Sequence, residues 1–190
     1  MTDPVCLLRK GDALLIVDVQ NDFCPGGALP IPEGDAVVPV LNHWIAAICE
    51  RRLPIYASRD WHPRGHLSFE ESGGPWPPHC LQDTEGAAFH PELGLPDTAV
   101  KVTKGVRFDK DQYSAFDETG LAQELARRRV NRLWVGGLAL DVCVRASALS
   151  AVAAGIETHL VTKACRPTTK QGGSEALAEM RAFAVVIEEG

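Results

Sequence analysis

The chain has no excess of positive charge: 19 Lys and Arg stand against 25 Asp and Glu, a formal net charge of -6. That balance argues against nucleic acid, whose affinity rests on neutralising phosphates with Lys and Arg. Its one basic run, Arg127 to Arg129, falls in the last turn of an expected helix, where dipole complementation explains it. No C-x-x-C pair joins the six cysteines (Cys6, Cys24, Cys49, Cys80, Cys143, Cys165), and a chain this size needs no staples, so reduced thiols in a cytoplasm are expected. Long hydrophobic runs are missing too. Near the start, Ala13 to Val17 is stopped by Asp18, far short of a signal h-region or a membrane span. A soluble, unexported protein without a membrane partner is expected. Repeats, low-complexity tracts and linkers are also absent, so the 190 residues are expected to form one domain, 1–190.

What is present is an alternation of strands and helices. Ala13 to Val17 is continuously apolar, which suggests a strand covered on both faces, as in parallel sheets. From Asp35 to about Arg52, apolar residues recur at helical spacing: Val37, Val40, Leu41, Trp44, Ile45 and Ile48. Further strands are expected at Pro54 to Ser58, Ala99 to Thr103, Leu133 to Val135, Glu157 to Thr162 and Ala184 to Glu188. Helices are expected at Leu121 to Arg129, Val142 to Ala154 and Gly173 to Arg181. Gly136 and Gly137 read as a turn out of the fourth strand, Asp141 as an N-cap and Gly155 as the C′ residue. Such an order implies right-handed crossovers and an α/β architecture with helices on both faces of a mostly parallel sheet. One long stretch, Trp61 to Pro96, is rich in Gly, Pro and His with little periodicity, and a loop of that length in a compact domain is usually functional.

Ligands of open parallel sheets bind outside the carboxyl ends of the strands. Asp18, Asp60, Lys104 and Cys143 all lie at or just past those ends. Cys143, in the first turn of its helix, would gain thiolate character from unpaired amides and the dipole. A thiol nucleophile needs a nearby group to take its proton; Asp18 can do so, and Lys104 can hold the thiolate. Asp60 and His62 form a D-x-H on extended chain, so both side chains point to one face. With His66 and His79 in the same loop, an Asp and two imidazoles suit Zn²⁺, Mn²⁺ or Fe²⁺. Phe23, Trp76 and Tyr113 could wall a flat ring.

At this point the chain resembles the isochorismatase-like cysteine hydrolases, and within them the nicotinamidase branch. The matching pieces are D-V-Q-N-D-F at Asp18, D-W-H-P at Asp60 followed by H-L-S-F, W-P-P-H-C at Trp76, K-G at Lys104, Y-S-A-F at Tyr113 and G-L-A-L-D-V-C-V ending at Val144. They occur in the family's order and span most of the chain. The resemblance implies Asp18, Lys104 and Cys143 as a catalytic triad, with Asp60, His62 and His79 as metal ligands. Some members recruit the residue matching His66. It also implies a three-layer αβα fold with a six-stranded sheet of order 3-2-1-4-5-6, a cis peptide after Ala139, and an oxyanion hole of backbone amides near Ala139 and Cys143. Two departures stand out. Leu140 and Val142 occupy positions where the family usually has threonine and tyrosine, so a changed pocket shape or rate is expected.

The expected activity is release of ammonia from nicotinamide through a cysteine thioester, with one divalent metal ion, zinc before iron or manganese, anchoring the pyridine ring. The expected partner is a small pyridine carboxamide; the oligomeric state stays open, a homo-oligomer included. Two rivals remain: an amidase acting on a carbamoyl or ureido compound, and a non-catalytic metal-binding protein with the same fold.

Overall fold

The computed structural model describes residues 4–189. A short helix α1 (Pro4–Leu7) precedes β1 (Asp12–Val17), α2 (Val37–Glu50), β2 (Ile55–Asp60), β3 (Val100–Lys104) and α3 (Leu121–Arg127). Then come β4 (Arg132–Leu138), a π turn (Leu140–Val144), α4 (Arg145–Ala153), β5 (Glu157–Arg166), α5 (Lys170–Ala182) and β6 (Val186–Glu188). All strand pairs are parallel, in the order β3-β2-β1-β4-β5-β6. This is the expected order, with β1 and β4 adjacent at the centre.

Every residue of β1 is buried, because helices cover both faces of the sheet. Leu14 and Ile16 point into one layer with Trp134 and the α2 residues Leu41, Trp44 and Ile48. Ala13, Leu15 and Val17 point into the other with Leu125 of α3, Ala148 and Ala151 of α4, and Met180 of α5. The period-two alternation of one strand thus feeds two cores. No helix among the described residues is long and apolar enough to cross a membrane.

Several boundaries differ from the sequence reading for local reasons. Gly136 and Gly137 do not turn out of the sheet; both stay in β4. A Cβ on Gly137 would sit 2.0 Å from the Val17 carbonyl oxygen, so the bare backbone is what lets β4 lie against the end of β1. Asp141 is not an N-cap. The helical path begins at Leu140 in the wide π turn, whose Val142 and Val144 amides both reach the Ala139 carbonyl. The Asp141 carboxylate instead accepts hydrogen bonds from the Thr168 amide and hydroxyl. The cis bond precedes Ala139, at Leu138–Ala139, rather than following it. Finally, β5 runs on to Arg166 and α5 starts at Lys170, where the Thr169 hydroxyl accepts from the Gly172 amide.

Candidate active site

Asp60 closes β2 and Lys104 closes β3, and the two face each other in register. Their side chains therefore project to the same side, and Lys104 Nζ lies 2.6 Å from Asp60 Oδ1. Asp18 follows β1 directly, in the left-handed region at φ 48°, with Lys104 Nζ 2.8 Å from its Oδ2. Cys143 arrives from the π turn after β4, its Sγ 3.4 Å from the same Nζ. One fully buried ammonium thus touches two buried carboxylates and a buried thiol. A fourth contact runs to the Gln112 carbonyl at 3.3 Å.

The charges of this cluster do not cancel, and each group's proton affinity follows from that. Burial pushes Asp18 above the usual carboxylate range; Lys104 opposes the shift but the neighbouring Asp60 adds to it. For Asp60 burial works the same way, yet the Lys104 charge and His62 outweigh it and hold the carboxyl well below that range. Lys104 is raised well above an ordinary lysine, since Asp18, Asp60 and Cys143 together overcome its burial. Burial also holds the Cys143 thiol well above its ordinary value, only partly offset by Lys104. Against the thiolate character expected from a helix start, burial and the two carboxylates oppose ionisation of the sulfur, and Lys104 favours it. Asp18 Oδ1 accepts a bond from the Ser58 hydroxyl at 2.7 Å, while the buried Oδ2 pairs with Lys104 at 2.8 Å. A carboxylate oxygen has a second lone pair, which Oδ2 can offer to a thiol proton. Carboxylate and sulfur atoms of Asp18, Asp60 and Cys143 lie within 4.8 Å of one another.

The second group of residues is built on the loop after β2. Ligand atoms of Asp60, His62 and His79 come within 4.8 Å of each other, and all three residues are buried. His62 Nδ1 is 3.0 Å from the Gly105 carbonyl and His79 Nδ1 is 2.8 Å from the Pro77 carbonyl. A carbonyl only accepts, so each Nδ1 acts as the donor to its carbonyl, which leaves Nε2 as the ring atom that can ligate a metal. Gly105 is needed here: a Cβ would stand 2.5 Å from His62 Cε1. An open N₂O set of this kind suits a transition metal dication, and the excess negative charge beside it favours one.

His66 is placed differently. Its ring stacks on His62 with centroids 4.5 Å apart. However, Nδ1 is 2.7 Å from the Ser68 hydroxyl and Nε2 is 2.8 Å from the Arg107 carbonyl. Although His62, His66 and Asp111 also converge within 4.8 Å, neither nitrogen of His66 is left for an ion.

A partly open pocket lies beside both groups. Cys143, Ala139 and Val142 line one part, Asp60, His62 and His79 another, and Phe23, Trp76 and Tyr113 its aromatic walls. Phe23 packs on the His79 ring at 5.5 Å, and the Trp76 indole N–H donates to the Tyr113 hydroxyl at 3.0 Å. Val142 thus faces the cavity, whereas Leu140 is buried in the core beside α5. The sequence reading missed Ser58, Gln112 and Thr168. Ser58 and Gln112 touch the charged cluster only through folding; Thr168, which also lines the cavity, is carried there by the Asp141 tether. Nothing in their own neighbourhoods marks them.

The isochorismatase domain family matches residues 12–189. The nicotinamidase of Escherichia coli (strain K12) is 38% identical over 198 aligned positions, covering 92% of this chain and 93% of that protein. Among solved structures, the pyrazinamidase of Pyrococcus horikoshii in complex with zinc is 43% identical, with a TM-score of 0.92 over 95% of this chain and 99% of its own. The PnC1 protein from L. infantum in complex with nicotinate is 35% identical, with a TM-score of 0.86 over 93% of this chain and 91% of its own.

Proposed function

This chain belongs to the isochorismatase family, and from that premise we propose that it is an amidohydrolase converting nicotinamide to nicotinate and ammonia, a step of NAD salvage in the cytoplasm. The observation that carries the reading is the meeting of Cys143, Asp18 and Lys104 with Asp60, His62 and His79 beside one pocket walled by aromatic rings. The likeness to the Escherichia coli nicotinamidase over nearly the whole of both chains, and to a structure in complex with nicotinate, supports it.

Asp18 Oδ2 takes the thiol proton as Cys143 Sγ attacks the carboxamide carbon. Burial raises the proton affinity of Asp18, which favours transfer to it, and the Lys104 charge counters the rise that burial imposes on the thiol. Backbone amides near Ala139 and Cys143 hold the tetrahedral oxyanion. Asp18 then gives the proton to the departing amide nitrogen, which leaves as ammonia; a water molecule, deprotonated by the same carboxylate, hydrolyses the thioester to nicotinate, and Asp18 returns that proton to the Cys143 sulfur. Lys104 keeps Asp18 ionised between these transfers and fixes the sulfur. Phe23, Trp76 and Tyr113 flank the ring. Asp60, His62 and His79 would hold a divalent metal ion, zinc first among the candidates, which would supply a Lewis-acid partner for the pyridine nitrogen.

Ammonia release by the purified protein, with and without a chelator, tests the reading. Nicotinamide is expected to exceed benzamide in kcat/KM by about 100-fold or more, because benzamide lacks the ring nitrogen that the site is built to bind. Equal values for the two would remove the metal from substrate recognition, and no ammonia from either would remove the activity.

A further inference from the structure

The segment that carries Asp18 also carries two buried or half-buried polar side chains, Gln20 and Asp22, that the reaction does not use. Gln20 has no exposed surface. Its Oε1 accepts from the Asp60 amide at 2.8 Å, and its Nε2 donates to the Asp60 carbonyl and to the Ala87 carbonyl, each at 2.8 Å. The reason for this double grip lies in the sheet. β1 pairs with β2 only as far as Ile16 opposite Ala57, after which the chain turns at Asp18, so the last residue of β2 has no strand on that side. The side-chain amide of Gln20 stands in for the missing strand and satisfies both backbone groups of Asp60.

Asp22 does the equivalent for the other ligand loop. Its Oδ2 accepts from the Cys80 amide at 2.7 Å, and its Oδ1 from the Ala28 amide at 3.1 Å. Cys80 follows His79 directly, has a left-handed φ of 45°, and its carbonyl accepts from the His62 amide at 2.9 Å. One carboxylate therefore anchors the residue that links the two imidazoles.

We infer that Gln20 and Asp22 are positioning residues for the Asp60, His62 and His79 metal set, so that one five-residue segment carries the proton acceptor and the scaffold of the metal site together. The inference rests on the metal reading of the proposed function. Groups that orient metal ligands are worth about 10- to 100-fold in affinity.

The experiment measures Zn²⁺ affinity by competition with a chromophoric chelator, and the visible spectrum of the Co²⁺ form, for wild type, Gln20→Met, Asp22→Asn, His79→Ala and Asp12→Asn. Asp12 lies at the opposite end of β1, so that variant controls for general loss of stability. Expected are at least tenfold weaker Zn²⁺ binding and an altered Co²⁺ spectrum in Gln20→Met and Asp22→Asn, with wild-type values in Asp12→Asn. The rate of Cys143 alkylation in the metal-free proteins should stay within twofold of wild type for both variants. Wild-type affinity and spectrum in both, alongside loss in His79→Ala, overturn the inference while leaving the metal reading intact. Unchanged affinity in His79→Ala overturns the metal reading and the inference with it. Asp22→Asn keeps one carbonyl oxygen and so provides a milder second variant where Gln20→Met fails to fold.

Discussion

Asp18 and Lys104 meet at 2.8 Å with neither side chain exposed, yet Asp18 is held above the usual carboxylate range rather than below it. A single ammonium divided between Asp18 and Asp60 does not offset the desolvation of two carboxylates. Asp60 takes the larger share of that ammonium, and Asp18 is left as the more basic partner, poised to accept a proton.

A pH dependence with a definite sign follows. Asp18 must be ionised to take the thiol proton, so kcat/KM should fall on the acid side through a pKa above the ordinary carboxylate value of 3.8. Ser58 donates to the ionised form, so Ser58→Ala should raise that pKa and move the acid limb to higher pH. Hydrogen bonds to charged groups are worth about 1.5 to 3 kcal/mol, which corresponds to a shift of about one to two pH units. A pH–rate profile of the two proteins decides this; coincident acid limbs would place the titrating group elsewhere.

Cys143→Ala should lose all measurable turnover while keeping the fold, since the substitution removes only the sulfur. Lys104 lowers the thiol's proton affinity from 3.4 Å away, so Lys104→Met should slow iodoacetamide labelling of Cys143 at neutral pH. It should also destabilise the protein by about 3 to 5 kcal/mol, because two buried carboxylates then face each other without a counter-charge. Mass spectrometry of labelled Cys143 and urea unfolding measure the two effects. An unchanged labelling rate would take Lys104 out of that role.

How much of this was open to reading in the sequence differs by residue. Strand ends announce themselves through short apolar runs cut off by a charge, which placed Asp18, Asp60 and Lys104 on one edge, and the family resemblance gave the strand order. The start of α4 did not announce itself. Asp141 has the composition of an N-cap, but its carboxylate is claimed by Thr168, 27 residues later, a contact that no local pattern encodes. Gly136 and Gly137 looked like punctuation because glycine serves turns and close approaches equally, and only the neighbours brought up by folding, Ala164 at Gly136 and the Val17 backbone at Gly137, mark these as close approaches. The surroundings of Cys143 were also hidden. Helix position is local, whereas the two carboxylates and the ammonium that act on the thiol arrive from the ends of three other strands, β1, β2 and β3.

The three histidines of the loop should separate by metal content. His62→Ala and His79→Ala each remove an inward Nε2 and should lose most of the bound metal. His66→Ala should keep the greater part, because both ring nitrogens of His66 already bond to Ser68 and Arg107. Its loss loosens the loop around His62 without removing a ligand atom. Metal analysis of the purified variants is the measurement; full occupancy in His79→Ala together with loss in His66→Ala would reverse the assignment.

The last prediction concerns stability at the other end of β1. Asp12 is buried and accepts from Arg132 Nε at 2.8 Å and Nη2 at 2.6 Å, from the Arg9 amide at 3.0 Å and from Trp134 Nε1 at 3.1 Å. Burial alone would raise its pKa, but the Arg132 fork and the other donors outweigh it, and the carboxyl is held below its ordinary 3.8. A carboxyl lowered on folding contributes stability that is fully present above the unfolded value and is lost as pH falls through the folded one. Asp12→Asn removes this contribution and leaves the Arg132 guanidinium with only the half-exposed Glu157 carboxylate, 4.0 Å away, as a counter-charge, a loss of about 3 kcal/mol at neutral pH. It should also flatten the acid limb of the stability curve below pH 4, by up to about 1.4 kcal/mol per pH unit. Urea midpoints for both proteins between pH 7 and pH 3 test the claim, and parallel acid limbs would show that Asp12 is not the group whose protonation weakens the fold.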